Sequence, residues 1–105
     1  MRLDDIATEL TPKVTVTYNG RTLEMVRAGT QWNDIEKVKQ QFGIMSSSRD
    51  FIARAEDFPP GNEPKPKDVI LDAGTHWKVY QLVGEECWRP LGNESTELIR
   101  IHCKK

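Results

Sequence analysis

The stretch DVILDAGTHWKVYQLVGEECWRPLGNESTELIRIHC, running from Asp68 to Cys103, decides how the chain is read. Its apolar runs are short and rich in Val, Ile, Trp and Tyr. Turn chemistry separates them at Asp72-Ala73-Gly74-Thr75, Gly84-Glu85-Glu86 and Gly92-Asn93-Glu94-Ser95. Such runs, bounded by Gly, Asn and Asp, predict a β-meander. A turn centred on Ser95 would set Ile99 against Leu91, Ile101 against Arg89, Trp88 against His102 and Cys87 against Cys103. A side-chain period of two then gathers Cys87, Leu91, Ile99, Ile101 and Cys103 on one face. Arg89 falls on that apolar face too, which either counts against this register or marks a site near the sheet end. A slip of one residue exchanges the faces.

Upstream, KVTVTY and RTLEMV flank Asn19-Gly20, a dipeptide suited to the two positive φ angles of a type I′ hairpin turn. Val16 then faces Leu23 and Val14 faces Met25, with Tyr18 and Arg21 closing that face. Thr15, Thr17, Thr22 and Glu24 point the other way, so one face is apolar and one polar, as in a half-covered antiparallel sheet. Ser48 to Ala55 alternates weakly, with Phe51, Ala53 and Ala55 on one face and Asp50, Ile52 and Arg54 on the other. This predicts a strand covered on both sides. Between them, Trp32, Ile35, Val38 and Phe42 have helical spacing, Asn33 and Glu36 can cap, and Gly43 can stop the turn. A short helix near residues 33–42 is the favoured reading, while Lys37 to Ser47 also fits a hairpin.

Two segments lie outside this pattern. Residues 1–12 form an arm in which Leu3, Ile6 and Leu10 have helical spacing until Thr11-Pro12 stops it. It is either a frayed terminus or a segment that docks on a neighbouring subunit. Glu56 to Lys67 is a long loop holding Pro59, Pro60, Pro64 and Pro66, which stiffen it and remove backbone donors.

The chain has 105 residues, enough for one domain with a modest core. A formal net charge of −1, from 15 basic and 16 acidic residues, gives no electrostatic case for nucleic acid or membrane. No apolar run approaches a membrane span, and the acidic start is unlike a secretory signal. Two cysteines are too few for a disulfide framework, so assembly in a reducing cytoplasm is expected. The mainly β domain expected over residues 1–105 is a small antiparallel β-barrel or sandwich.

Catalytic chemistry lacks its parts. There is no glycine-rich phosphate loop, HExxH or CxxC, no carboxylate pair at useful spacing, and nothing places a base beside Ser46-Ser47-Ser48. The chain is read as a non-enzyme with no catalytic residue, cofactor or metal. His76, His102, Cys87 and Cys103 supply zinc-ligand types, yet adjacent His102 and Cys103 would point to opposite faces of a strand. A disulfide between Cys87 and Cys103 is compatible with the hairpin register, in oxidising surroundings only. Trp77, within a strand, reads as core. Trp88 with Arg89, and Phe58 before Pro59-Pro60, read as interface candidates together with Leu3, Ile6 and Leu10.

The order of SRDFI (Ser48 to Ile52), Pro66-Lys67-Asp68-Val69-Ile70, Gly74-Thr75-His76-Trp77-Lys78-Val79-Tyr80, Cys87-Trp88-Arg89 and Leu98-Ile99-Arg100-Ile101-His102 resembles the head-tail joining proteins of tailed bacteriophages. The resemblance covers roughly residues 14–104. It implies a head-closure, or stopper, subunit of the virion neck: a small barrel in a homo-oligomeric ring between the portal or adaptor of the capsid and the tail. Such a ring helps retain packaged DNA, which only passes through its channel, and it carries no catalytic residue. Cys103 departs from the family's usual hydroxyl or small residue, and the helical spacing at Trp32 to Phe42 departs from its usual strand pair. On this reading Glu56, Asp57 and Glu63 of the long loop would lie near the lumen. The alternatives are a tail-terminator or tail-completion protein, and a small SH3-like or OB-like module that binds a peptide or nucleic acid.

Overall fold

At Asn19-Gly20 the backbone takes two positive φ angles, 47° and 90°, and the chain reverses. The computed structural model describes residues 2–9, 11–28, 48–81, 84, 86–91 and 97–105. The helix expected near residues 33–42, its hairpin alternative, Trp32 and Leu10 lie outside them. Strands β1 (Lys13–Tyr18) and β2 (Arg21–Ala28) pair with Val14 opposite Met25 and Val16 opposite Leu23, the register that alternation predicted. A second hairpin forms the same way. Ala73 and Gly74, with φ of 50° and 83°, link β4 (Val69–Asp72) to β5 (Thr75–Val79), and Asp72 faces Thr75.

Strand β3 (Ser48–Arg54) is followed by a 3-10 turn at Ala55–Asp57, and β6 (Trp88–Pro90) precedes β7 (Leu98–Lys104). The order β3-β2-β1-β4-β5-β7 closes through β3–β7 pairing, which makes a six-stranded antiparallel barrel. Closure removes the sheet edges that an open meander would expose. One edge of β7 pairs with β3 along its whole length. The other is shared, β5 standing opposite Cys103 and Lys104 and β6 opposite Ile99 to Ile101.

The last hairpin corrects the expected register by one residue. Trp88 faces Ile101, Arg89 faces Arg100 and Pro90 faces Ile99. The slip takes Arg89 off the face that carries Ile99 and Ile101, which removes the misfit that the Ser95-centred turn created. It also leaves Cys87 out of register with Cys103, whose cross-strand partners are Arg49 and Val79. Both thiols are free and buried, and the slip removes the direct pairing on which a possible bridge between them rested.

Side chains pointing into the barrel form the main core, including Val16, Met25, Phe51, Ile70, Trp77, Val79, Ile101 and Cys103. Outside the wall, Leu3, Val26, Ile52 and Leu98 make a second cluster. Helix α1 (Leu3–Ile6) presses Leu3 onto it. The Asp5 carboxylate accepts the Arg2 backbone N–H at 2.8 Å, which holds the single turn. Burying Leu3 contributes about 2 kcal/mol, the reason the arm is tied to its own barrel.

Candidate docking surfaces

The two ends of the barrel are finished by different chemistry. At the end where β1 and β3 terminate, the proline-rich loop folds back. Phe58 is buried, 6% exposed, with its ring edge-to-face on Tyr18 at 4.9 Å. Arg21 lies over both rings, 5.9 Å from Tyr18 and 5.3 Å from Phe58, and donates from Nη1 to the Asp57 carbonyl at 3.0 Å. The Tyr18 hydroxyl donates to Asp68. Burial, then that carboxylate, push the Tyr18 hydroxyl far above its ordinary pKa. Pro64 is buried too, and its carbonyl accepts the Cys87 thiol at 3.3 Å. Phe58 is therefore a plug of its own barrel, and the expectation of an exposed anchor is corrected. An aromatic ring beside two prolines reads as exposed only while the loop is pictured away from the sheet.

The opposite end is held by ions. Asp72, at the end of β4, has a buried carboxylate that accepts Arg27 Nε at 2.7 Å and Arg27 Nη2 at 2.8 Å, a fork-on-fork pair. Arg49 Nη1 approaches the same carboxylate at 3.5 Å. The carboxylate raises the Arg27 pKa further. Arg49 also stacks over Trp77 at 4.6 Å, and Lys105 lies 5.6 Å from that ring. The Arg27 and Arg49 side chains are 40% and 36% exposed, so both present charge to solvent from a fixed base.

A third polar group lies in the wall. Asp50 accepts Arg100 Nε at 2.6 Å and meets His102 Nδ1 at 2.9 Å. A carboxylate oriented on an imidazole resembles half of a catalytic dyad. Here Asp50 is 0% exposed and the His102 side chain 3%, so no substrate reaches the ring in this arrangement. Among the described residues no group of three or more His, Cys, Asp or Glu comes together to hold a metal ion. Burial raises the Cys103 and Cys87 pKa values, which keeps both thiols protonated and poor nucleophiles.

The remaining expected surface residues are scattered. Ile6 is half-buried beside Leu3, which is itself spent inside the chain. Trp88 is half-buried and packs on the core edge, and Arg89 is half-buried on the facing side of β6. In the long loop Glu56 is exposed, Asp57 is half-buried with its pKa raised by burial, and Glu63 turns back onto the Gly61 N–H at 2.9 Å. The Arg27, Arg49 and Lys105 cluster escaped the sequence reading. Its members are remote in sequence, and only the turn residues Asp72-Ala73-Gly74-Thr75, which end β4 at Asp72, gave any local signal there.

The family model for the phage head-tail joining protein matches residues 3–105. The chain belongs to that family, and its role is structural, as a virion component between phage head and tail. No curated protein matches it, and no solved structure does. Among the described residues no helix is long and apolar enough to cross a membrane.

Proposed function

We propose that this member of the phage head-tail joining family is a head-closure subunit: copies form a ring on the portal or adaptor, retain packaged DNA, and offer the tail its docking face. The observation that carries the reading is the family match over nearly the whole chain. The geometry supports it. Among the described residues Asp50, Arg100 and His102 are locked in a buried cluster, while charge is displayed at the barrel end and walls. The barrel end closed by the loop carries Glu56, Asp57 and Glu63, and we place that end toward the lumen, where carboxylates repel the DNA backbone and let it slide. Ile6, Trp88 and Arg89 remain as candidate contacts with portal or tail.

The test uses DNA-filled heads that carry a portal but lack this subunit. Added protein is expected to protect the DNA from an external nuclease and to let purified tails attach. If the protein instead caps growing tail tubes and leaves the heads open, it is a tail terminator. Salt-dependent binding of the free protein to duplex DNA, with no effect on heads, would make it a nucleic-acid module.

A further inference from the structure

At the barrel end away from Phe58, charged residues continue the inward-facing positions of their strands. Arg27 follows Met25 by two residues, Asp72 follows Ile70, Lys105 follows Cys103, and Arg49 precedes Phe51. Met25, Ile70, Cys103 and Phe51 all belong to the barrel core. A side-chain period of two therefore turns the charged residues toward the mouth of the barrel. Their charges do not balance. Arg27 Nε and Nη2 fork onto the Asp72 carboxylate, and Arg49 Nη1 stands 3.5 Å from that same group. Lys105 joins Arg49 at the Trp77 ring. Among the described residues no second carboxylate pairs with Arg27, Arg49 or Lys105.

Trp77 marks the same place as incomplete. It is 3% exposed, and its Nε1 is buried with no hydrogen-bond partner among the described residues. An indole N–H can only donate, and a buried donor without an acceptor is costly. Surplus cations over the ring and an unused N–H at its edge both suit an acceptor that carries negative charge. Asp72 shows that a carboxylate matches the Arg27 fork. The phosphates of DNA are the rival anion. The chain's net charge of −1 gives them no long-range attraction, and the loop-plugged end is the one placed toward the lumen.

We propose that this mouth is a docking site for an acidic segment of a neighbouring neck protein, whose carboxylates bind Arg27, Arg49 and Lys105 beside Trp77. The choice of a protein partner over DNA rests on the head-closure reading above. The cations are set before the partner arrives, since Asp72 holds Arg27 by two bonds and the Trp77 ring supports Arg49. Docking then costs little side-chain freedom.

The experiment measures binding of labelled tetraglutamate, labelled tetraglutamine and a labelled short DNA duplex to the full chain by fluorescence anisotropy. The wild type is expected to bind tetraglutamate about tenfold more tightly than tetraglutamine, and Arg49→Gln with Lys105→Gln to remove that preference. In isotope-labelled protein the Trp77 indole N–H resonance, identified by its loss in Trp77→Phe, is expected to move as tetraglutamate is added. Circular dichroism melting confirms that the double variant folds, and Lys105→Gln alone replaces it if it does not. Equal binding of the two peptides, a folded variant that keeps the preference, or a Trp77 resonance that stays in place while peptide binds would each overturn the site. Duplex DNA that binds more tightly than tetraglutamate, and loses affinity in the same variant, would overturn the acidic segment in favour of a DNA contact. Wild-type protein that binds tetraglutamate through these residues yet leaves the DNA in heads open to nuclease would sink the head-closure reading and leave the site standing.

Discussion

Asp50 and Asp72 are both buried carboxylates, and each meets nitrogens of two side chains, yet they do different work. Asp50 is shut in with its partners: the Arg100 and His102 side chains are 9% and 3% exposed. Asp72 is equally buried, but Arg27 and Arg49 lean out into water. The first arrangement ties β3 to β7, the seam that closes the barrel. The second fixes two guanidinium groups at the barrel end with their outer faces open. Enclosed charge specifies architecture. A buried anchor under exposed charge builds a contact surface.

The contrast breaks most readily at Asp50. Asp50→Asn leaves the Arg100 guanidinium buried without its counter-charge, and should lower the unfolding free energy by about 3–5 kcal/mol in urea titrations. Asp72→Asn should cost only about 1–2 kcal/mol, because the released arginines stay hydrated and the amide still accepts a hydrogen bond. Equal losses at the two positions would erase the distinction. Alkaline titration sharpens the role of enclosure. Burial disfavours the thiolate and lifts the Cys103 and Cys87 pKa values above that of an ordinary thiol. A raised folded pKa means full stability below the unfolded value and progressive loss as pH climbs toward the folded one. Stability should therefore fall above roughly pH 9, by up to about 1.4 kcal/mol per pH unit for each thiol, and Cys103→Ala should flatten the slope. The smallest effect is expected at Arg49→Ala, about 0.5–1 kcal/mol, since its ion pair and ring contact are half in solvent. A loss as large as that of Asp50→Asn would show that the open cluster is structural after all.

Much of the barrel was legible locally. Asn19-Gly20 made the turn that its residue types favour, the turn at Ala73-Gly74 formed where Gly74 favours a positive φ and Ala73 does not, and the faces of β1, β2 and β3 followed alternation. The last hairpin was misread by one residue for a definite reason. Leu98 to Cys103 is buried at every position, so both parities of β7 look alike and alternation carries no register information. Phe58 was misread because loop composition says nothing about which way a loop folds. The two carboxylate clusters were invisible because their partners lie 45 and 50 positions away.

By itself the sequence determined the local alphabet of this protein: strand by strand, which turns form, which faces are apolar, and that no set of side chains has the spacing of a catalytic or metal motif. The tertiary structure alone decided how β3 and β7 close the ring, that the proline loop plugs one end with Phe58, and which of the charged residues are enclosed. The physical reason is range. Backbone φ preference and alternation act within a few residues, whereas burial and charge pairing are settled by whichever distant segments closure brings together.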